Sequence, residues 1–338
     1  MHNYFLHKLL LPFAWVYTAA LEIRFFLYEN DLLKSELASL PTFCVGNVIL
    51  GGSGKTPFCK TLVEELKNLG FNPVILLRGY KGSESGPKQV DRRDSIETVG
   101  DEALMHLESD VPVVISRKRL RGIDFIKSNK LGDCVVMDDG LQHLSLKPQH
   151  KFLLLDVSDS RSISKWKEGS VLPAGYLREP LARAIARAET IILVNKKDNS
   201  FPKENFLNKH QFHYQLKPNR IIDLVTEQPA TIKGDCNILC SIANPESFLD
   251  SVNSLGLKIK KKFIFPDHQL ITFAIWEKTD LSYPLLVTSK DAVKLCNFVK
   301  SENQVFILEQ TGTICDTQVE QFKSLLKEVC EKGKSISN

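Results

Sequence analysis

Residues 42–57 read TFCVGNVILGGSGKTP, an apolar run that passes through three closely spaced glycines into a helical pattern. Glycines let successive backbone N–H groups converge on one anion, and the dipole of the following helix adds partial positive charge. This is where a phosphate is expected to sit. Lys55 is placed to reach the β- and γ-phosphates, and the Thr56 hydroxyl suits Mg²⁺. Pro57 fits the first helical turn, where its missing N–H costs nothing, and it leaves the N–H groups of Lys55 and Thr56 for the ligand. The expected nucleotide-binding residues are therefore Gly51, Gly52, Ser53, Gly54, Lys55 and Thr56. The loop departs from the full GxxxxGK[ST] pattern, because Ile49 stands where the first glycine belongs.

Outward from this loop, short β-branched runs alternate with helical stretches, the signature of a doubly wound parallel sheet. The pattern predicts strands over 42–48, 73–77, 111–116, 133–137, 152–156 and 190–194, with helices over 57–68 and 178–188. Residues 210–226 read as two short strands separated by 217–220, a hairpin-like linker. A second strand–helix alternation follows from 236 and ends in a helix over 319–332. The expected fold is α/β: a mostly parallel sheet of the P-loop NTPase type with helices on both faces, plus a smaller second α/β domain. Length agrees, since 338 residues exceed the roughly 250–300 at which one core usually stops growing. The boundaries fall at 34–203 for the kinase-like domain, 204–230 for the linker and 231–338 for the second domain.

Composition narrows the function classes. With 43% hydrophobic and 25% charged residues the chain is an ordinary globular protein. A net charge of +4 is too small an excess to make nucleic acid the expected partner. The eight cysteines are scattered among apolar neighbours without zinc-ligand spacing, as in a reducing compartment. Residues 1–33 stand apart as unusually apolar. Their longest apolar run, 9–21, spans 13 residues, short of the ~20 a bilayer-crossing helix needs, and Glu22 and Arg24 then interrupt it. A signal peptide would carry nucleotide chemistry out of the cell to no purpose, so the expectation is a helix packed on the protein, lying in a membrane interface, or both.

A nucleoside triphosphate site needs a carboxylate at a neighbouring strand end, and CVVMDD at 134–139 supplies Asp138 and Asp139 for Mg²⁺. VGDEA at 99–103 offers Asp101 at the start of a helix, a candidate to orient or deprotonate an acceptor hydroxyl. NKKD at 195–198 matches the guanine-reading NKxD pattern, but Met137 stands three residues before Gly140 and so breaks the DxxG switch that would accompany it. A small-molecule kinase or ligase and a GTP switch stay open as alternatives on this evidence alone.

Eight motifs taken together resemble one family. GNVILGGSGKTP (46–57), LLRGYKG (76–82), VGDEA (99–103), MDDGLQH (137–143), LPAGYLREP (172–180), IANPESF (242–248), FPDHQL (265–270) and TSKDAVK (288–294) occur in the order seen in tetraacyldisaccharide 4'-kinases, the lipid A 4'-kinases of Gram-negative bacteria. The resemblance covers roughly residues 10–300, and the family's loop also runs GN-x-x-x-GG-x-GKTP. It implies transfer of the ATP γ-phosphoryl group to the 4'-hydroxyl of a lipid A disaccharide precursor at the cytoplasmic face of the inner membrane. It further implies that Lys55 and Thr56 serve phosphate and Mg²⁺, that Asp101 is the catalytic acid residue, and that His268 pairs with it. Arg78 and Arg178 are the basic residues expected to meet the anionic substrate. Two departures stand out: Gln269 replaces the usual second histidine, and Ser289 replaces an acid in the family's TEKDAVK.

Overall fold

Short apolar runs pair in parallel only when a crossover, usually a helix, carries the chain back to the starting edge. The structure, a computed structural model, describes residues 4–167, 169–197, 201–202, 206 and 209–337. Asp198 and the expected boundary at 203/204 lie outside these. In the first half, β1 (Thr42–Asn47), β2 (Pro73–Leu77), β3 (Val113–Ile115), β4 (Cys134–Asp138), β5 (His150–Asp156) and β6 (Thr190–Asn195) are all parallel, in the order β3-β2-β4-β1-β5-β6. In the second half, β7 (His210–Asp223), β8 (Asp235–Cys240), β9 (Lys258–Ile264), β10 (Leu285–Thr288) and β11 (Val305–Ile314) continue the same sheet as β6-β7-β11-β10-β8-β9.

The helices that position the site and the core are α1 (Tyr4–Glu29), α2 (Lys55–Asn68), α3 (Asp101–His106), α4 (Arg119–Ser128), α5 (Leu181–Arg187), α6 (Pro245–Ser254), α7 (Ser289–Leu295) and α8 (Val319–Ser337). They cover both faces of the sheet. On one face of the first half Phe58, Leu62 and Leu66 of α2 meet Phe322 and Leu326 of α8, with the Phe58 and Phe322 ring centroids 6.2 Å apart. On the other, Ile123 and Ile126 of α4, Ala184 of α5 and Trp166 close the sheet. The second half has its own pair of apolar layers, around Phe248 and Val252 of α6 and around Trp276 and Leu295. The run KIKKK at 258–262 lies on β9, the strand that ends the sheet, where exposed lysines discourage a further strand from adding.

The structure corrects one reading of the linker. Residues 210–223 form a single strand of 14 residues, with the expected break at 217–220 reduced to a register irregularity between Pro218 and Arg220. Pro218 has no N–H to give the ladder, and a bulge is where a strand tolerates that loss. The hairpin reversal comes later, where Ile221 and Ile222 pair with Ala230 and Pro229.

This long strand shapes the cleft. Its first part runs parallel to β6, with Gln215 opposite Asn195, while its antiparallel partner β11 runs back with Leu308 opposite Ile221 and Thr288 of β10 opposite Leu308. One antiparallel pair of double length therefore turns the second parallel set around and offsets it. The carboxyl ends of both sets face each other, and in open α/β sheets ligands bind at carboxyl ends.

α1 is continuous through Pro12 and, by length and composition alone, long enough to cross a membrane. Its docked face recurs at helical spacing: Ala14 and Phe25 are buried, and Thr18, Leu21 and Glu22 are half-buried. Glu22 accepts from Arg183 Nε at 2.9 Å, Arg24 donates to the Gln142 carbonyl, and Arg187 lies over the Phe25 ring. The opposite face presents Leu9, Phe13, Val16 and Ile23 to the outside, with Trp15 69% exposed beside them.

Candidate active site

The glycine loop between β1 and α2 reaches its shape without the missing first glycine. Ile49 forms an isolated bridge to Leu177, and the Leu50 N–H donates to the Tyr176 carbonyl at 3.1 Å, so the loop's first residues are held as a short extended ladder. Positive φ is needed later, at Gly51 (φ 111°) and at Gly54 (φ 84°), the residue from which α2 starts. A Cβ on Gly54 would also come within 3.2 Å of Val194. The Ser53 hydroxyl is buried without a hydrogen-bond partner, a polar atom left for a ligand.

Three cations converge on the loop. Lys55 Nζ donates to Asn47 Oδ1 at 3.1 Å and stands 3.5 Å from Asp139 Oδ1. Arg178 Nη1 donates to both Asp139 oxygens, at 2.8 and 2.9 Å. Lys196 Nζ donates to the Gly52 carbonyl and to Asp156 Oδ2, both at 2.6 Å, so the lysine of the NKKD stretch straps the phosphate loop to the end of β5. Burial opposes the charge on Asp139, but Lys55 and Arg178 together outweigh it and hold its carboxyl below the usual range.

Asp138 ends β4 nearly fully buried. Its Oδ2 is 3.0 Å from Nε2 of the wholly buried His106, and its Oδ1 has no hydrogen-bond partner. Nearby Glu102 is half-buried, and desolvation followed by the charge of Asp138 pushes its carboxyl up. No cluster of three or more His, Cys, Asp or Glu with metal-binding geometry occurs among the described residues. The uncompensated Asp138 oxygen still fits a divalent cation that takes its remaining ligands from phosphate, water and the Thr56 hydroxyl. Asp139, with both oxygens on Arg178, is the less open of the two aspartates.

Across the cleft the second half supplies a histidine. His268 Nδ1 lies 3.0 Å from Asp101 Oδ2, joining the loop after β9 to the start of α3. Burial works against ionisation of Asp101, but the His268 hydrogen bond and the charges of Lys290 and His268 prevail, and the carboxyl is held below its ordinary range. Lys290 of α7 donates to Asp267 Oδ1 at 2.9 Å and is 3.1 Å from His268 Nε2. Gln269 is half-buried and turns its amide to the Leu270 carbonyl at 3.3 Å.

Behind this edge Asp291 is completely buried. It accepts from the Ser241 N–H at 3.0 Å, from the Ser241 and Thr288 hydroxyls, and from Lys294 Nζ at 3.0 Å, tying the ends of β8 and β10 together. Removing one partner of a buried ion pair leaves the other charged and unpaired. Asp291→Ala is expected to lower unfolding free energy by about 3–5 kcal/mol, read as a shift of the urea midpoint at unchanged slope. A loss below ~1 kcal/mol would show that water reaches Lys294 once the carboxylate is gone.

A cavity of about 260 Å³ joins these parts, lined by Gly51 to Pro57, Glu102, Arg178 and Lys196 from the first half and by Ala243, His268, Thr288 and Lys290 from the second. A phosphate loop and an Asp–His pair from opposite walls of one cleft suit phosphoryl transfer to a hydroxyl. The comparisons with known proteins agree. Residues 6–331 match the family described as tetraacyldisaccharide-1-P 4'-kinase. The chain belongs to the tetraacyldisaccharide-1-P 4'-kinase family. Two relatives named tetraacyldisaccharide 4'-kinase illustrate the likeness: one from Actinobacillus pleuropneumoniae serotype 5b (strain L20), 34% identical over 299 residues and covering 86% of this chain and 87% of the relative, and one from Legionella pneumophila (strain Corby), 30% identical over 324 residues and covering 95% and 94%. The crystal structure of LpxK from Aquifex aeolicus in complex with ATP superposes with a TM-score of 0.78 at 28% identity, over 96% of this chain and 99% of that one.

Within this tetraacyldisaccharide 4'-kinase fold the expected residues divide. The six loop residues, Arg178 and His268 line the cleft; Asp101, through His268, and Asp139, through Lys55 and Arg178, adjoin it. Arg78 stands exposed outside that lining, and its charge acts instead on buried Arg119 and on His143. His106, Glu102 and Lys290 escaped the sequence reading. Glu102 and Lys290 lie inside quoted motifs, VGDEA and TSKDAVK, whereas His106 carries no local signal and meets Asp138 only through the fold.

Proposed function

We propose that this chain transfers the γ-phosphoryl group of ATP to the 4'-hydroxyl of a tetraacylated glucosamine disaccharide 1-phosphate, working from the cytoplasmic face of the inner membrane. The Asp101–His268 pair facing the phosphate loop across one cleft carries the reading. The loop N–H groups and Lys55 hold the β- and γ-phosphates, and Arg178 adds a second cation on the same side. Asp101 accepts the proton as the sugar oxygen attacks, and His268 orients the carboxylate. Mg²⁺ bound through Asp138 and Thr56 would neutralise charge on the phosphates. The walls built from 34–203 and 231–338, joined through 204–230, close on ATP and exclude water that would otherwise take the phosphoryl group.

An acceptor anchored by acyl chains must be reached at a membrane surface, and the outward apolar face of α1 supports such a position. Arg78, beside Arg119 and His143, is the basic group offered to the acceptor's 1-phosphate. The direct test measures label passing from γ-labelled ATP to the 4'-position of a tetraacyldisaccharide 1-phosphate in detergent micelles. No transfer to the lipid, with transfer to water or a small sugar instead, defeats the substrate assignment. Preference for GTP over ATP would defeat the kinase reading in favour of a GTP switch.

The membrane contact has its own test. Phe13→Glu combined with Val16→Glu removes two exposed apolar side chains without touching the docked face, each worth about 1.5–3 kcal/mol when buried. Partitioning onto anionic phospholipid vesicles should fall at least about tenfold while ATP binding is retained. Unchanged co-sedimentation would show that α1 does not enter the interface.

A further inference from the structure

We propose that Lys196 is a positioning residue for the nucleotide: by holding the Gly52 carbonyl it fixes the Gly52–Ser53 peptide, and with it the direction in which the Ser53 N–H meets phosphate. The proposal rests on the nucleotide reading of the loop and needs nothing of the lipid acceptor. The loop is anchored at both ends. Ile49 and Leu50 are held by Leu177 and Tyr176, and the Gly54 carbonyl accepts from the Phe58 N–H at 3.0 Å as α2 begins. Gly51 and Gly52 lie between. Gly52 is exposed, and a Cβ built on it would meet nothing within 4 Å, so packing does not hold it. Asn47 Nδ2 reaches the Gly51 carbonyl only at 3.5 Å, whereas Lys196 Nζ donates to the Gly52 carbonyl at 2.6 Å.

The lysine is itself held rigidly. Its backbone N–H donates to Ser158 Oγ at 3.0 Å, and its Nζ donates to Asp156 Oδ2 at 2.6 Å. Asp156 is nearly fully buried; its Oδ1 accepts the Ser158 N–H at 3.0 Å and the Ser158 hydroxyl, and its carbonyl accepts from Trp166 Nε1 at 2.9 Å. The ends of β5 and β6 are joined beside it by the Val157 N–H on the Val194 carbonyl. The neighbouring Lys197 pairs instead with Asp159 at 3.0 Å and with Asp250 of α6 at 3.5 Å, and of the two lysines only Lys196 lines the cleft. With Asp156 as its counterion, Lys196 acts on the shape of the loop through Gly52 rather than as a cation offered to phosphate.

The physical consequence follows from the planarity of the peptide. In a trans unit the C=O of one residue and the N–H of the next point in opposite directions, and the cis bonds among the described residues are elsewhere, before Pro87 and Pro173. While Lys196 holds the Gly52 carbonyl, the Ser53 N–H is therefore aimed away from it, to the phosphate side of the loop. Glycine leaves this peptide free to turn, since no Cβ at position 52 resists the change. A flipped peptide would set a carbonyl oxygen against the anion where a donor belongs, so the lysine removes the conformation that costs binding.

The test is equilibrium titration of the full-length protein with ATP, followed by steady-state turnover. Lys196→Met should raise the Kd for ATP about tenfold and leave kcat at saturating ATP within about threefold, because a contact made in the ground state and the transition state alike moves KM and not kcat. Lys196→Arg, which keeps a donor, should recover most of the affinity. Asp156→Asn should weaken ATP binding in the same direction, since the lysine loses its anchor. The double variant Lys196→Met with Asp156→Asn leaves no buried charge unpaired, and it should bind ATP no more weakly than Lys196→Met alone; it carries the test if the single variant does not fold. Tighter ATP binding by Asp156→Asn would show a lysine released onto the phosphates and would overturn the proposal. So would an unchanged Kd in both Lys196→Met and the double variant, or a loss confined to kcat. Binding of ATP by wild type reads the nucleotide site and the change in the variants reads Lys196, so the two fail separately.

Discussion

Asp101→Ala is expected to lower kcat by about 10³-fold, within the 10²–10⁴ that a positioned general base contributes, and to leave ATP affinity nearly unchanged. The split follows from where the side chain sits. Asp101 stands at the start of α3 and meets the cleft through His268, whereas the phosphate loop, Lys55 and Arg178 line the cleft directly. An interaction made only as the acceptor oxygen loses its proton appears in kcat and not in ground-state binding. Steady-state turnover with the lipid acceptor, together with equilibrium ATP titration, separates the two, and an equal loss in both would place Asp101 in nucleotide binding instead. The pH dependence carries a sign. Burial alone would raise this carboxyl, yet His268 and Lys290 lower it, so ionised Asp101 persists below the ordinary carboxylate range and is lost only as pH falls through the depressed value. A kcat limb falling already near pH 6 would contradict this.

Lys55→Ala has the second large effect and a different form. Its ammonium lies between Asn47 and Asp139 at the foot of α2, and in the proposed reaction it would face phosphate in the ground state and in the transition state alike. Its loss should raise the KM for ATP and lower kcat together, reducing kcat/KM by about 10²–10³-fold or more. Asp139 would keep Arg178 and the local fold should survive, which circular dichroism and the urea midpoint can verify. Activity within a few-fold of wild type would remove the phosphate-loop assignment altogether.

Much of this was legible in the chain because the signals are local. A phosphate loop is a run of neighbours whose backbone does the binding, so GGSGKTP declares itself wherever it stands. Strand assignments fell within two residues because each is a short, fully buried apolar run. Helical spacing likewise marked α2, which ends at Asn68 as expected and starts two residues earlier, at Lys55. The expected helix over 178–188 begins only at Leu181, since Pro180 takes the capping position and Arg178 is drawn away to Asp139 and the Val48 carbonyl.

The misses are long-range. Pro218 read as a chain break, but a bulge absorbed it, and neighbouring strands on both sides made one strand of two. Hydrogen bonding across the sheet outweighs a local turn signal when both flanks pair. His106 met Asp138 across 32 positions, and Lys290 met His268 across a turn that no periodicity describes.

The sequence by itself determined the phosphate loop, the alternation that makes a parallel sheet, the acids at the ends of β4 and at the start of α3, and the apolar leading helix. Only the tertiary structure decided that two parallel sets of strands face each other end to end, that Asp101 and His268 meet across 167 positions, and that α1 keeps one apolar face outward while docking the other. Local chemistry is written in neighbouring residues, whereas the direction of the second set of strands depends on one antiparallel pair, β7 with β11, whose partners lie far apart in the chain.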